Sequence, residues 1–346
     1  MAEFRLCRMT VITCLSILTV ACGSRSGDDS ADSTEYAGPE KPECIAPSAP
    51  GGGFDLTCKL AQKSFLELNL LSRPMRVTYQ PGGIGAVALN GIVAQRAADS
   101  NVIVAFSGGS LLNLAQGKFG RYSENDVRWI AASGIDYGML AVRADSRFQN
   151  LDDLIRTLKA DPTSVVFGAG GTVGSQDWMK SAIIARAAGI DYREIRYVPF
   201  EGGGEAQIAL LGGHIQAYSG DISEVQGMLE GGRLRVLAVM ADSRLPAPFA
   251  EIATANEQGF DLTWPILRGY YTGPEVSDAE YNWWVTHFDT LMADERFNQL
   301  RFELGMFPYA KTGAALEEVI ANRMAVYRDL VKEFGLDQVI DAEGGR

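Results

Sequence analysis

The chain has 346 residues, 47% of them hydrophobic and 21% charged, and a formal net charge of -12. That length and apolar content support two ordinary domains with buried cores and exclude a wholly disordered chain. The acidic excess excludes nucleic acid as the expected partner, because phosphate binding needs a basic footprint, and it leaves an anionic ligand to be held by local dipoles against the overall field.

Residues 1–21 read as an export signal, with Arg5 and Arg8 ahead of an apolar stretch too short to span a bilayer. The run Leu18-Thr19-Val20-Ala21-Cys22 is similar to a lipobox, with Thr19 where leucine is usual. Cys22 is therefore the candidate lipidation site, and ordinary signal cleavage is the alternative. Residues 22–43, rich in Ser, Asp, Gly and Glu, hold too little apolar material to pack and read as a disordered tether. In an oxidising compartment Cys44 and Cys58 can pair around the first glycine turn; two buried thiols are the other reading.

From Cys44 onward one unit repeats: an apolar β-rich run, a turn with Gly, Ser or Asp, then a helical pattern. Such alternation predicts parallel sheet flanked by helices. The first turn is Pro50-Gly51-Gly52-Gly53-Phe54-Asp55. Residues 75–79 lead to Pro81-Gly82-Gly83-Ile84-Gly85 and a helix through Gln95, and residues 102–106 lead to Ser107-Gly108-Gly109-Ser110 and a short helix over 111–115. Residues 164–167 lead to a second long glycine turn, Gly168 to Ser175, and a helix ending near Gly189. Residues 195–198 precede Phe200-Glu201-Gly202-Gly203-Gly204 and a helix through Leu211; residues 215–219 precede Gly220-Asp221 and a helix closed by Gly231-Gly232. Strand 267–273 and helices over 278–292 and 316–334 complete the chain, with Trp283, Trp284 and Phe288 at core spacing.

Glycine turns ahead of helices turn backbone N–H groups outward at the positive end of the helix dipole, so a carboxylate or phosphate is the natural guest. Parallel strands end on one edge, which gathers these turns together. Two strands, 138–143 and 234–240, are expected to cross between lobes. Each runs into a similar phrase, Val142-Arg143-Ala144-Asp145-Ser146-Arg147 and Val239-Met240-Ala241-Asp242-Ser243-Arg244. The first lobe then comprises 44–141 and 239–346, the second 142–238, with closure around a ligand between them.

Enzymatic chemistry is thinly supported. His214 and His287 are the only histidines, neither with metal-ligand spacing, and no nucleophile elbow, Walker A loop or H-E-x-x-H helix occurs. Gly168-x-Gly170-x-x-x-Gly174 follows a strand, but its third glycine is one residue late for dinucleotide binding. Neither cofactor nor metal is expected. Thr172, Ser175, Ser107 and Ser110 are candidate ligand donors, with helix capping as the alternative for each. Asp55 is expected to order the first turn, and Asp221 to do the same or accept a ligand hydroxyl. Arg143 and Arg268 are possible countercharges, as are Lys59 and Lys180, for which solvated surface roles are the better reading.

The phrases Pro47-x-x-Pro50-Gly51-Gly52-x-x-Asp55, Pro81-Gly82-Gly83-x-Gly85, Gly170 to Ser175 and Val198-Pro199-Phe200-Glu201-Gly202 stand in order, ahead of Leu210-Leu211-Gly212-Gly213. In this order they resemble the periplasmic solute receptors of tripartite tricarboxylate transporters, the Bug-type receptors. Glu43-Cys44-Ile45-Ala46-Pro47 and the run from Phe106 to Asn113 look closest to the branch that binds citrate or a relative. The resemblance implies an α/β, two-lobed periplasmic binding protein of the type II, Venus-flytrap kind, each lobe a mostly parallel sheet, the lobes joined by two crossing strands. It implies ligand contacts from Gly52, Gly53, Phe54 and Asp55, with Ser107, Gly108, Gly109 and Ser110 nearby. From the other lobe it implies Gly171, Thr172, Ser175, Phe200, Glu201 and Gly202, with Asp221. A monomeric, exported receptor that passes a di- or tricarboxylate to membrane subunits is the function implied. An exported enzyme acting on a carboxylated substrate, or a ligand sensor for a signalling partner, are the alternatives.

Overall fold

A computed structural model describes residues 36–337; the signal segment, Cys22 and most of the proposed tether lie outside the described residues. The elements, in order, are β1 (Glu43–Ala46), α1 (Gly53–Glu67), β2 (Arg76–Tyr79), α2 (Ala86–Gln95), β3 (Val102–Ser107), α3 (Gly108–Ala115) and β4 (Arg128–Arg143). There follow α4 (Leu151–Ala160), β5 (Val166–Gly170), α5 (Gln176–Ala187), β6 (Arg196–Phe200), α6 (Gly203–Leu211), β7 (Ala217–Asp221), α7 (Ile222–Glu230) and β8 (Leu234–Val239). The chain closes with β9 (Pro265–Thr272), α8 (Asp278–Ala293), α9 (Glu295–Glu303), β10 (Lys311–Thr312) and α10 (Gly313–Glu333).

The strands run in the order β2-β1-β3-β9-β4-β7-β5-β6, with β8 and β10 also paired to β4. Parallel pairing holds at the two flanks, β2-β1-β3 and β7-β5-β6. The centre is antiparallel, because β9 and β4 run against their neighbours. One strand serves both halves: β4 pairs with β9 up to Tyr137 and with β7 and β8 from Gly138 onward. The chain returns to β9 after Met240 and Trp264, whose backbones bond to Gly138 and to each other.

Central strands are apolar on both faces, as sheet covered by helices requires; every residue of β3 and of β7 is buried. On α8, Trp284 and Phe288 are fully buried and meet Phe65 of α1 edge-on, with ring centroids 5.6 and 5.3 Å away. Trp283 stacks on both Phe65 and His287, and the His287 ring nitrogen Nδ1 faces the Trp283 carbonyl at 2.7 Å. A disulfide joins Cys44 on β1 to Cys58 on α1, closing the first glycine turn as one of the two sequence readings had it.

Residues 36–43 correct the tether's end. Tyr36 sets its ring edge against Trp283 and donates its hydroxyl to Ser100 Oγ at 3.2 Å, and the Lys41 amide bonds Asn101 Oδ1 at 2.9 Å. An aromatic anchor and a strand start outweigh the polar composition that suggested a loose segment.

Candidate functional site

Five helices, α1, α3, α5, α6 and α7, follow the C-terminal ends of β1, β3, β5, β6 and β7, α1 and α5 after the two long glycine turns. Their N-termini surround one cleft of about 370 Å³ between the two halves of the sheet. Its wall from the β1–β3 side includes Gly52, Gly53, Phe54, Ile84, Ser107 and Gly109; from the β5–β7 side it includes Gly171, Thr172, Phe200, Glu201, Gly202 and Asp221. Across the cleft the first glycine turn faces the turn Phe200 to Gly204, while Gly171 of the second long turn meets Ile84. Gly204 packs so closely under the Pro50 carbonyl that a Cβ there would lie 2.9 Å from it, and a Cβ on Gly202 would lie 3.8 Å from the Ala49 backbone.

The N-caps divide the helices into two kinds. Ser107 Oγ accepts the Gly109 N–H, and Ser175 Oγ accepts the Trp178 N–H while donating to the Gly170 carbonyl. Ser110 Oγ in turn accepts the Ser107 N–H at 3.4 Å. Ser175, Ser110 and Gly108 are buried away from the cleft wall, so of this group only Ser107 and Gly109 reach it. The caps of α1 and α6 are instead Gly52 and Gly202, with no side-chain cap bond. Neither cap has a side chain to satisfy the first-turn amides of these helices, and a carboxylate there gains both hydrogen bonds and the dipole; at α1 the Gly53 N–H is taken by Glu224 Oε1.

Asp55 does not reach the cleft. Its Oδ2 accepts the Gly51 N–H and the Lys59 ammonium at 2.8 and 2.7 Å, and its Oδ1 accepts the Tyr79 hydroxyl. It orders the turn that shapes the wall, and Lys59 is consumed in that task. Arg143 pairs with Asp145, remote from the cleft lining.

Beneath the glycine turns lies a buried charged floor that sequence reading did not assemble. Arg268 of β9, 2% exposed, pairs through Nη2 with Asp136 of β4 at 3.0 Å and with Asp221 at the end of β7. Lys180 of α5, fully buried, donates to Asp221 Oδ1 at 2.5 Å and to the Gly220 carbonyl at 2.7 Å, and pairs with Asp177 at 2.8 Å. The expectation that Lys180 is solvated is thus corrected: α5 turns it inward to neutralise carboxylates at the strand ends. Burial opposes the charge of Lys180 and Arg268, yet the carboxylates around them outweigh it and hold both cations well above their ordinary range. Burial raises Asp136 and Asp177, while Asp221 is held low because Lys180 and Arg268 outweigh its own burial.

Glu224, near the start of α7, completes the floor. Its Oε1 accepts the Gly53 N–H at 2.8 Å, and its Oε2 accepts the Tyr218 hydroxyl and the Asp221 N–H. Burial, then Asp221 and Asp177, push its carboxyl up to about 8. Gln176, 6% exposed, points Nε2 at Asp221 and leaves Oε1 with no hydrogen-bond partner among the described residues. Ile84 reaches across to Gly171 from a left-handed backbone, φ 52°, an unfavourable conformation for a β-branched residue. Neither histidine lines the cleft, and among the described residues no cluster of His, Cys, Asp or Glu is arranged to hold a metal ion.

Two half-sheets sharing a strand, with glycine-capped helix ends meeting over a cleft, define a two-lobed solute-binding protein of the type II periplasmic kind. The chain belongs to the tripartite tricarboxylate transporter family of receptors, whose family model matches residues 67–336. It is 24% identical over 226 residues to a UPF0065 protein in the tcbD-tcbE intergenic region of Pseudomonas sp. strain P51, a match covering 64% of this chain and 65% of that protein. It is 26% identical over 229 residues to BugT of Bordetella pertussis, covering 64% of this chain and 67% of that protein. The matches therefore span about two thirds of these relatives' length. Among solved structures, MatC of Rhodopseudomonas palustris with bound malate has the same fold, with a TM-score of 0.73 at 18% identity over 84% of this chain and 98% of that one. Membership in this family implies export; among the described residues no helix is long and apolar enough to cross a membrane.

Proposed function

We propose that this protein is an extracytoplasmic receptor that closes its two lobes, residues 36–137 with 265–337 and residues 138–240, on a small carboxylate and delivers it to the membrane subunits of a tripartite transporter. The supporting observation is the pair of glycine-capped helix ends, α1 and α6, meeting across one cleft with Arg268 beneath them. Binding without chemical transformation fits a wall whose Ser107 is engaged in capping and which holds no histidine. A lipid anchor on Cys22 is part of the proposal and is tested by labelling cells with a radioactive fatty acid.

The citrate-like ligand rests on the resemblance of residues 43–47 and 106–113 to the tricarboxylate branch. A second reading is favoured by the lining itself: Asp177, Glu201, Glu205 and Asp221 outnumber Lys118 and Arg268. That balance favours a ligand with one or two carboxylates and a donor group for Gln176 Oε1, the malate of MatC being a relative's example. Thermal-shift measurements with citrate, tricarballylate, malate, adipate and amino acids separate the two readings. Ligand at about a hundred times its Kd stabilises the fold by roughly 2.7 kcal/mol. Absence of any response across the carboxylates rejects the receptor reading, and accumulation of product during incubation favours the enzyme.

A further inference from the structure

Glu224 is recruited for more than capping α7. In a capping box the carboxylate at the third helical position bonds the N-cap amide, and here Oε2 does so toward Asp221. Capping therefore accounts for Oε2 alone. The second oxygen extends across the cleft to the Gly53 N–H, 171 residues away in sequence and on the opposite lobe. That amide belongs to the first turn of α1, whose cap is a glycine without a side chain to satisfy it. Gly203 is constrained by the same arrangement: a Cβ on it would lie 2.6 Å from Glu224 Oε2.

We infer that Glu224 is a resident carboxyl group seated on the anion position of α1, that it holds the empty cleft closed, and that a ligand carboxylate takes the Gly53 amide only by displacing it. This rests on the receptor reading for its ligand, but the latch itself does not need one. The groups around Glu224 set how firmly it holds. Tyr218 of β7 donates to it, Arg268 of β9 attracts it, and Asp221 and Asp177 repel its anion while Lys180 compensates both. Asp136 of β4 lies behind Arg268, Asp55 of α1 is engaged by Gly51, Lys59 and Tyr79, and Glu201 and Glu205 share the cleft wall. The surroundings favour the neutral carboxyl, which keeps the bond from Gly53 without the repulsion. The sign follows: the raised carboxyl stabilises closure fully below its unfolded value, and the contribution fades as pH rises through about 8.

The test uses formate as a stand-in carboxylate on the intact, ligand-free protein. Glu224→Ala empties the seat, so formate is expected to raise the melting temperature of this variant more than that of the wild type. Equal responses overturn the proposal. Glu224→Gln retains an acceptor for Gly53 but does not ionise. By small-angle scattering the wild type is expected to widen as pH rises from 6 to 9 while this variant stays compact, and identical profiles overturn the proposal even if the alanine variant fails to fold. Neither measurement uses the transported solute. A protein that passes both yet answers to no carboxylate panel keeps the latch and loses the receptor assignment.

Discussion

Arg268→Met is the perturbation that most directly probes the charged floor. The methionine fills much of the arginine's volume but removes both ion pairs. Asp221 keeps Lys180 at 2.5 Å, so the loss falls mainly on Asp136, which is fully buried and has no other cationic partner among the described residues. Asp136 retains the Ser223 hydroxyl at 2.5 Å and the Tyr137 N–H at 2.8 Å, which soften the loss. Removing one member of a buried pair typically costs about 3–5 kcal/mol, and these retained bonds place the expectation near the lower end, about 3 kcal/mol at neutral pH. The assay is urea unfolding at pH 7 and pH 5, without ligand. Without Arg268, burial and Asp221 raise the Asp136 carboxyl further, so the variant's stability is fully present only below the unfolded value and declines as pH rises. In the wild type Asp221 is held low, and its contribution is lost only as pH falls below the unfolded value, so it does not change between pH 7 and pH 5. The Asp136 effect alone shrinks the difference on acidification. A deficit below about 1 kcal/mol at pH 7, or one that widens at pH 5, refutes the view that Arg268 is the compensating charge of the floor.

Gly52→Val should abolish ligand-induced thermal shifts with little change in apo stability: its Cβ meets nothing closer than 3.5 Å, while its methyl groups enter the cleft; retained affinity counts against a seat at this turn. Gly204→Val, by contrast, is expected to keep ligand contacts partly intact but block full closure against the Pro50 carbonyl, so the scattering radius should no longer contract with ligand; unaltered contraction contradicts the closed packing. Reducing the Cys44–Cys58 disulfide, which encloses a sequence separation of 14, should lower stability by about 3 kcal/mol, read from denaturation with and without reductant; no change shows the link to be dispensable. Replacing Glu201 and Glu205 with glutamine should strengthen binding of citrate more than of malate in calorimetry, because two rim charges no longer oppose the extra carboxylate; an equal gain argues against rim charge as the discriminator.

The strand–glycine–helix alternation was legible because each unit carries its own local signature, and β3, α6 and α7 lie where it puts them. The centre was not. Only residues 138–143 of β4 were recognised, because Ser133, Gly134 and Asp136 interrupt its first part and resemble a turn. Pairing with β9 and the ion pair to Arg268 override that local preference, and both depend on residues more than a hundred positions away. For Asp55 the local reading, a turn-ordering acid at a helix start, matches its partners, whereas the ligand contact implied by the resemblance does not, since Asp55 is absent from the cleft lining. Lys180 and Glu224 carry no comparable clue: the sequence shows an exposed-looking lysine and a capping acid, and only tertiary packing directs them inward and across. Helices α4 and α9 were also missed: neither has a glycine turn to announce it, although Leu151, Leu154, Ile155 and Leu158 give α4 a helical apolar face.

The sharing of β4 bears on how the molecule comes apart. At 16 residues it is about 50 Å of continuous backbone, and each half of the sheet uses part of it as an interior strand. A cut between Tyr137 and Gly138 would leave either fragment with an interior strand truncated and a row of unpaired amides at its centre. The shared strand predicts that the halves melt as one cooperative unit, and calorimetry should show a single transition whose van't Hoff and measured enthalpies agree; two transitions refute it.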